Sequence, residues 1–142
     1  MELREALAEP RWLRILAQSA YAPNPDALLE RVGRYRLAPD VRAFGWEGRG
    51  VIVVTSGPRM VIRDIAVEPE ARRAGVGRRM IEEAAEAVGA VEIVAETDDD
   101  AVGFYRRCGF TVEPLGDVYH SVLCRYRCVK RADLHRTDES AR

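Results

Sequence analysis

The chain has 142 residues, 47% of them hydrophobic and 32% charged, with a net charge of −1. That length suits one domain that buries a core without disulfides or metals, and the balanced charge gives no global basic excess to attract nucleic acid or an anionic membrane. Met1-Glu-Leu-Arg-Glu-Ala lacks a signal peptide's apolar core and no segment approaches a membrane span, so a cytoplasmic protein is expected, with neither membrane nor nucleic acid as partner. Cys108, Cys124 and Cys128 are an odd number of thiols in a chain without export signals, which suits small core residues better than a disulfide framework. Cys124 and Cys128 are four apart, which does not match zinc-ligand spacing, and His120 and His135 are the only histidines. No metal is expected.

Glu2 to Leu7 suits a short strand or the start of a helix equally. Pro10 opens a predicted helix over Arg11 to Ser19, with Trp12, Ile15, Leu16 and Ser19 on one side. Tyr21-Ala-Pro-Asn-Pro-Asp breaks the chain. Asp26 is then a candidate cap for a second helix, whose stripe is Leu28, Leu29, Val32 and Tyr35, up to Ala38-Pro39-Asp40. Val41 to Trp46 and Val51 to Thr55 flank Glu47-Gly-Arg-Gly50, a hairpin signal. Ser56-Gly-Pro-Arg59 turns into Met60 to Val67, a strand stopped by Glu68-Pro69. Three strands joined by tight turns imply an antiparallel meander.

Arg72-Arg-Ala-Gly-Val-Gly77 follows, and then the best amphipathic helix of the chain. Val76, Met80, Ile81, Ala84 and Val88 recur at helical spacing up to a cap at Gly89. Strand, basic loop, glycines and helix N-terminus leave unpaired N–H groups at a positive dipole end, with Arg72, Arg73, Arg78 and Arg79 adding charge. This is a site for phosphate. Val91 to Glu96 is reached by a helical crossover and should lie parallel to Met60 to Val67. Thr97-Asp-Asp-Asp100 opens another predicted helix with an inner stripe of Ala101, Phe104, Tyr105 and Cys108, ended by Gly109. Phe110 to Pro114 and Ser121 to Val129 read as a last strand pair around an irregular loop from Leu115 to His120. The expected fold is α+β, a single mixed, mainly antiparallel twisted sheet flanked by helices, in one domain over residues 1–129 with a polar tail over 130–142.

Gly75-Val-Gly77-Arg78 lacks the Walker lysine and hydroxyl residue, and Met80 stands where a dinucleotide fingerprint needs its third glycine. Arg72-x-x-Gly75-x-Gly77 after Ile65-Ala-Val67 and Pro69 instead resembles the acetyl-CoA motif of the GNAT superfamily of N-acetyltransferases. Asp98-x-x-Ala101-x-x-Phe104-Tyr105-x-x-Cys108-Gly109-Phe110 resembles the second signature of that superfamily.

The resemblance implies acetyl-CoA as acyl donor, with its pyrophosphate on backbone N–H groups of Arg72, Arg73, Ala74, Gly75, Val76, Gly77 and Arg78. Its pantetheine would pair with Ile65, Ala66 and Val67 like an added strand, in an opening against Val94 to Glu96. Ile65 or Val67 would offer the oxyanion N–H, and Tyr105 would be the general acid toward the departing thiolate. The superfamily's usual Asn, a cofactor contact, is Asp98 here, which accepts but does not donate, so helix capping is the better reading of Asp98. An alkylammonium acceptor must lose a proton before attack, and Glu96 and Asp64 are the candidate bases. The implied function is direct acetyl transfer to a primary amine, of a small molecule or of a peptide or protein. A non-catalytic acyl-CoA-binding regulatory module on the same fold is the alternative. Acceptor identity stays open, as does oligomeric state, a homodimer included.

Overall fold

The computed structural model describes residues 6–17, 25–72, 74–116 and 125–132. Its elements in chain order are α1 (Pro10–Leu16), α2 (Pro25–Leu37), β1 (Val41–Trp46), β2 (Gly50–Thr55) and β3 (Arg59–Val67). A 3₁₀ turn (Pro69–Ala71), α3 (Val76–Val88), β4 (Glu92–Asp98), α4 (Val102–Arg107), β5 (Thr111–Gly116) and β6 (Arg125–Arg131) follow. The expected strand or helix before Ala6, the end of the first helix at Ser19, Tyr21, the loop from Asp117 to His120 and Cys124 lie outside the described residues.

The strands form one sheet in the order β1-β2-β3-β4-β6-β5. The meander is as expected, with Val41↔Thr55 and Trp46↔Gly50 fixing the first antiparallel register. Glu47 and Gly48 both take positive φ, 48° and 69°, and Arg49 N–H closes the turn on the Trp46 carbonyl at 2.8 Å. Positive φ at both central residues matches the twist of the flanking strands. Among the described strands only β3 and β4 run parallel, and β6 inserts antiparallel between β4 and β5.

Alternation along β2 shows why the sheet is covered on both faces. Ile52 and Val54 enter one core with Met80, Ile81 and Ala84 of α3 and Tyr105 of α4, whereas Val51 and Val53 enter another with Trp12, Ile15 and Leu16 of α1 and Leu28 and Val32 of α2. Every residue of β2 is buried. Helices α3 and α4 therefore cover one face and α1 and α2 the other.

Several boundaries differ from the sequence expectation. Asp26 lies in the first turn of α2 rather than at its cap, where its charge still favours the helix dipole, and Leu29 is half exposed outside the stripe. Thr97 and Asp98 continue β4 instead of opening a helix, because β6 pairs with that strand as far as Asp98↔Arg125. Leu115 and Gly116 belong to β5 rather than to the loop. Lys130 and Arg131 are not frayed tail but the end of β6, where Lys130 Nζ donates to the Cys108 carbonyl at 2.7 Å and lies 5.9 Å from the Phe110 ring.

Burial raises the thiol pKa of Cys108 and of Cys128. Burial, then the Asp64 charge and hydrogen bond, raises that of Tyr35. Each group holds its proton more tightly folded than unfolded. The contribution to stability is thus full below the unfolded values, about 8.5 for a thiol and about 10 for a phenol, and is lost as pH rises through the folded ones. Urea midpoints measured from neutral to alkaline pH should fall above roughly pH 8.5, with a shallower fall in Cys108→Ala.

Candidate active site

The site is built where β3 and β4 part. They pair at Arg59↔Glu92, Met60↔Ile93 and Val61↔Val94 and no further. Beyond that point β3 stays with β2 up to Val67, and β4 stays with β6 up to Asp98. The two strands then present facing edges whose backbone groups have no partner in each other, a slot for an extended chain. Val94 is still paired, so on β4 the opening runs from Ala95 to Asp98 rather than from Val94 as expected.

A bulge shapes the β3 side. The register passes from Val53↔Asp64 to Val54↔Ile62, which leaves Arg63 as the extra residue. Met60 and Ile62 face the α3 core before it, Ile65 and Val67 after it, and Ala66 joins the opposite core.

The N-terminus of α3 borders the slot. Gly75 occupies its N-cap at φ +77°, a conformation that glycine adopts without strain, and it brings no side chain to cap the first turn. The first helical bond runs from Arg79 N–H to the Gly75 carbonyl at 3.1 Å. By helix geometry the amides of Val76, Gly77 and Arg78 have no intrahelical acceptor, and they lie at the positive end of the dipole. Arg72 serves the loop itself. Its amide donates to the Pro69 carbonyl at 3.3 Å and its Nε to the Val67 carbonyl at 3.1 Å, so the amides open to an anion begin after it. Arg73 lies outside the described residues, and Ala74 is exposed.

Two other arginines hold neighbours in place. Arg78 Nη2 donates to the Arg107 carbonyl at the end of α4, at 3.2 Å, and Arg79 lies 5.2 Å from the Trp46 ring. Gly77 is required by packing. A Cβ there would stand 2.9 Å from both Cε1 and Cζ of Phe104. The two sequence motifs thus meet physically at Gly77 and Phe104.

Tyr105 sits on α4 with 5% of its surface exposed. Its ring makes edge contacts with Phe104 at 5.1 Å and Phe110 at 5.2 Å, so neighbours on both sides set its orientation. Asp98 is buried at the end of β4, where Oδ1 accepts the amides of Asp100 at 3.0 Å and Ala101 at 3.1 Å. It caps the turn into α4, four residues before the helix itself begins at Val102. Glu96 is exposed on β4 opposite Arg127, whose Nη2 lies 3.9 Å from its Oε2.

Asp64 lies under α2. Its Oδ2 accepts the Tyr35 hydroxyl at 2.5 Å and lies 3.2 Å from Arg31 Nε. Arg31 was missed in the sequence, although it is four residues from Tyr35 and shares its helix face. Trp46 lies beneath Arg79 and packs against the α3 core. Among the described residues no group of three or more His, Cys, Asp or Glu side chains converges, and no helix is long and apolar enough to cross a membrane.

Gly77→Ala should destabilise the fold by about 1–3 kcal/mol through overpacking. In a urea double-mutant cycle with Phe104→Leu the two losses should be less than additive, since trimming the ring makes room for the methyl.

The comparisons with known proteins agree with this geometry. Residues 30–112, more than half the chain, match the model described as the acetyltransferase (GNAT) domain. A nourseothricin acetyltransferase structure is 28% identical with a TM-score of 0.54, covering 67% of each chain. A Bacillus anthracis protein described as a candidate streptothricin acetyltransferase, solved with acetyl coenzyme A, is 25% identical with a TM-score of 0.60, covering 71% of this chain and 68% of that one. An aminoglycoside 6'-N-acetyltransferase complexed with coenzyme A shares the fold at 15% identity and a TM-score of 0.65, covering 87% and 92%. No curated protein matches the sequence. With its mixed six-stranded sheet, its parted parallel strands and its glycine-capped helix, the chain belongs to the GNAT acetyltransferases.

Proposed function

We propose that this protein transfers the acetyl group of acetyl-CoA directly to a primary amine while both substrates are bound. The observation that carries this reading is the parting of β3 and β4 after Val61 and Val94, beside the uncapped first turn of α3. The amides of Val76, Gly77 and Arg78 would hold the pyrophosphate, and Ile65 to Val67 would align the pantetheine arm. The thioester supplies an activated acetyl carbon.

The residues of the chain do the rest. Asp64 or Glu96 takes a proton from the ammonium, so that the nitrogen has a lone pair for attack. The amide of Ile65 or Val67 receives the negative charge that develops on the thioester oxygen. The new N–C bond replaces the C–S bond, and Tyr105 returns a proton to the departing sulfur. A phenol near pKa ~10 can protonate a thiolate of reference pKa roughly 8.5 when its ring is held close. The edge contacts with Phe104 and Phe110 provide that fixed position. The streptothricin and aminoglycoside acetyltransferases among the structural neighbours support acetyl-CoA as donor and an amine as acceptor.

Both base candidates are engaged by arginine, Asp64 by Arg31 and Glu96 by Arg127. That favours, as second reading, a module that binds acyl-CoA without turning it over. Free-thiol release measured over an amine panel separates the two. In Tyr105→Phe, kcat should fall by about 10²–10⁴ with acetyl-CoA binding retained. Equal release by variant and parent across pH would remove Tyr105 from the mechanism. Binding without release in the parent would establish the second reading.

A further inference from the structure

Arg31 carries an unusual feature. Its Nε and Nη2 are both buried, and neither makes a hydrogen bond. Asp64 Oδ2 lies 3.2 Å from Nε as an ion pair that does not meet hydrogen-bond geometry, and the same oxygen accepts the Tyr35 hydroxyl at 2.5 Å. Nε and Nη2 form the side-on fork of a guanidinium, the edge whose two parallel N–H bonds match the two oxygens of a carboxylate. A buried donor without an acceptor is costly, so an open fork beneath α2 calls for an oxygen ligand.

Its place in the fold relates that ligand to the reaction. Asp64 immediately precedes Ile65 to Val67, at the bulge where β3 leaves its pairing with β4. The Asp64 side chain is 8% exposed and that of Arg31 21%, so the pair is sheltered, with the Arg31 side chain its more exposed member. Together they present one anionic acceptor and one cationic fork, side by side. A molecule with an ammonium and a carboxylate a few atoms apart is complementary to both and adds no net charge to the site. An amine without a carboxylate leaves the fork unfilled.

We infer that Arg31 and Asp64 select the acceptor, and that the acceptor is a zwitterionic amino acid, its carboxylate on the Arg31 fork and its ammonium at Asp64. The inference rests on the acetyl transfer proposed above and narrows its acceptor. Acetylation removes the ammonium charge, so the product loses its attraction to Asp64 while keeping its carboxylate, which favours release. Tyr35 is a positioning residue in this arrangement. Its hydroxyl donates to Asp64 Oδ2, the oxygen that also lies 3.2 Å from Arg31 Nε, and so fixes the carboxylate beside the fork.

The test uses the full chain and acetyl-CoA, with thiol release measured for each free amino acid against its own carboxamide. The best amino acid should exceed its carboxamide in kcat/KM by at least about a hundredfold, less than the roughly 10⁴–10⁵ by which a hydrogen-bonding site rejects an analogue lacking the group altogether, because the carboxamide keeps one oxygen acceptor. Arg31→Lys, which keeps the charge without the fork, should bring that ratio close to one. Equal turnover of acid and amide by the parent, or an unchanged preference in Arg31→Lys, would overturn the inference. Turnover of simple amines or amides but of no amino acid would overturn it and leave acetyl transfer standing. Turnover of neither would remove both. The parent comparison needs no variant, so a folding defect in Arg31→Lys cannot decide the outcome.

Discussion

The approach of Phe104 to Gly77 is the contact on which the rest of the site depends. With no Cβ at Gly77, the ring edge of α4 packs onto the first turn of α3, and Arg78 returns the favour by bonding the last carbonyl of α4. This fixes the helix N-terminus relative to Tyr105, the next residue of α4, whose own ring is held by Phe104 and Phe110. The helix end that would hold the pyrophosphate and the phenol that would serve the sulfur are therefore parts of one packed unit. Gly75 and Gly77 have different tasks, one conformational and one steric, although they read as a single motif.

Much of this was legible in the sequence. β-branched runs and glycine turns marked the meander, the 3.6-residue stripe marked α3, and the helical crossover implied the parallel pairing of β3 and β4. Local pattern was less informative where a distant partner decides the outcome. Thr97 and Asp98 look like a helix start, yet strand β6, which follows them by some thirty residues, draws them into β4. Lys130 and Arg131 look like tail, yet the pairing Glu92↔Arg131 keeps them in the sheet. The short charged helix α4 owes its entry to Asp98 from outside the helix, a cap that helix-start rules place nearer the first turn.

The α2 side was the least legible, although one signal was present. Apolar residues in β3 fall at Met60 and Ile62, then at Ile65 and Val67, a change of phase that marks the bulge at Arg63. That bulge turns Asp64 to Arg31 and Tyr35, which a meander of regular alternation would not require. The two faces of the sheet then divide the work. In the proposed reaction the α3 and α4 face would position donor and leaving group, and the α1 and α2 face would present a charged pair to the acceptor, with the parted strands between them.

Backbone amide shifts followed during titration of a ¹⁵N-labelled chain with acetyl-CoA test the central claim most directly. The amides of Gly75, Val76, Gly77 and Arg78 and those of Ile65, Ala66 and Val67 should move together and saturate at one affinity. Saturable binding that leaves both segments unmoved, while amides elsewhere shift, would contradict a donor site between the parted strands and the glycine-capped helix.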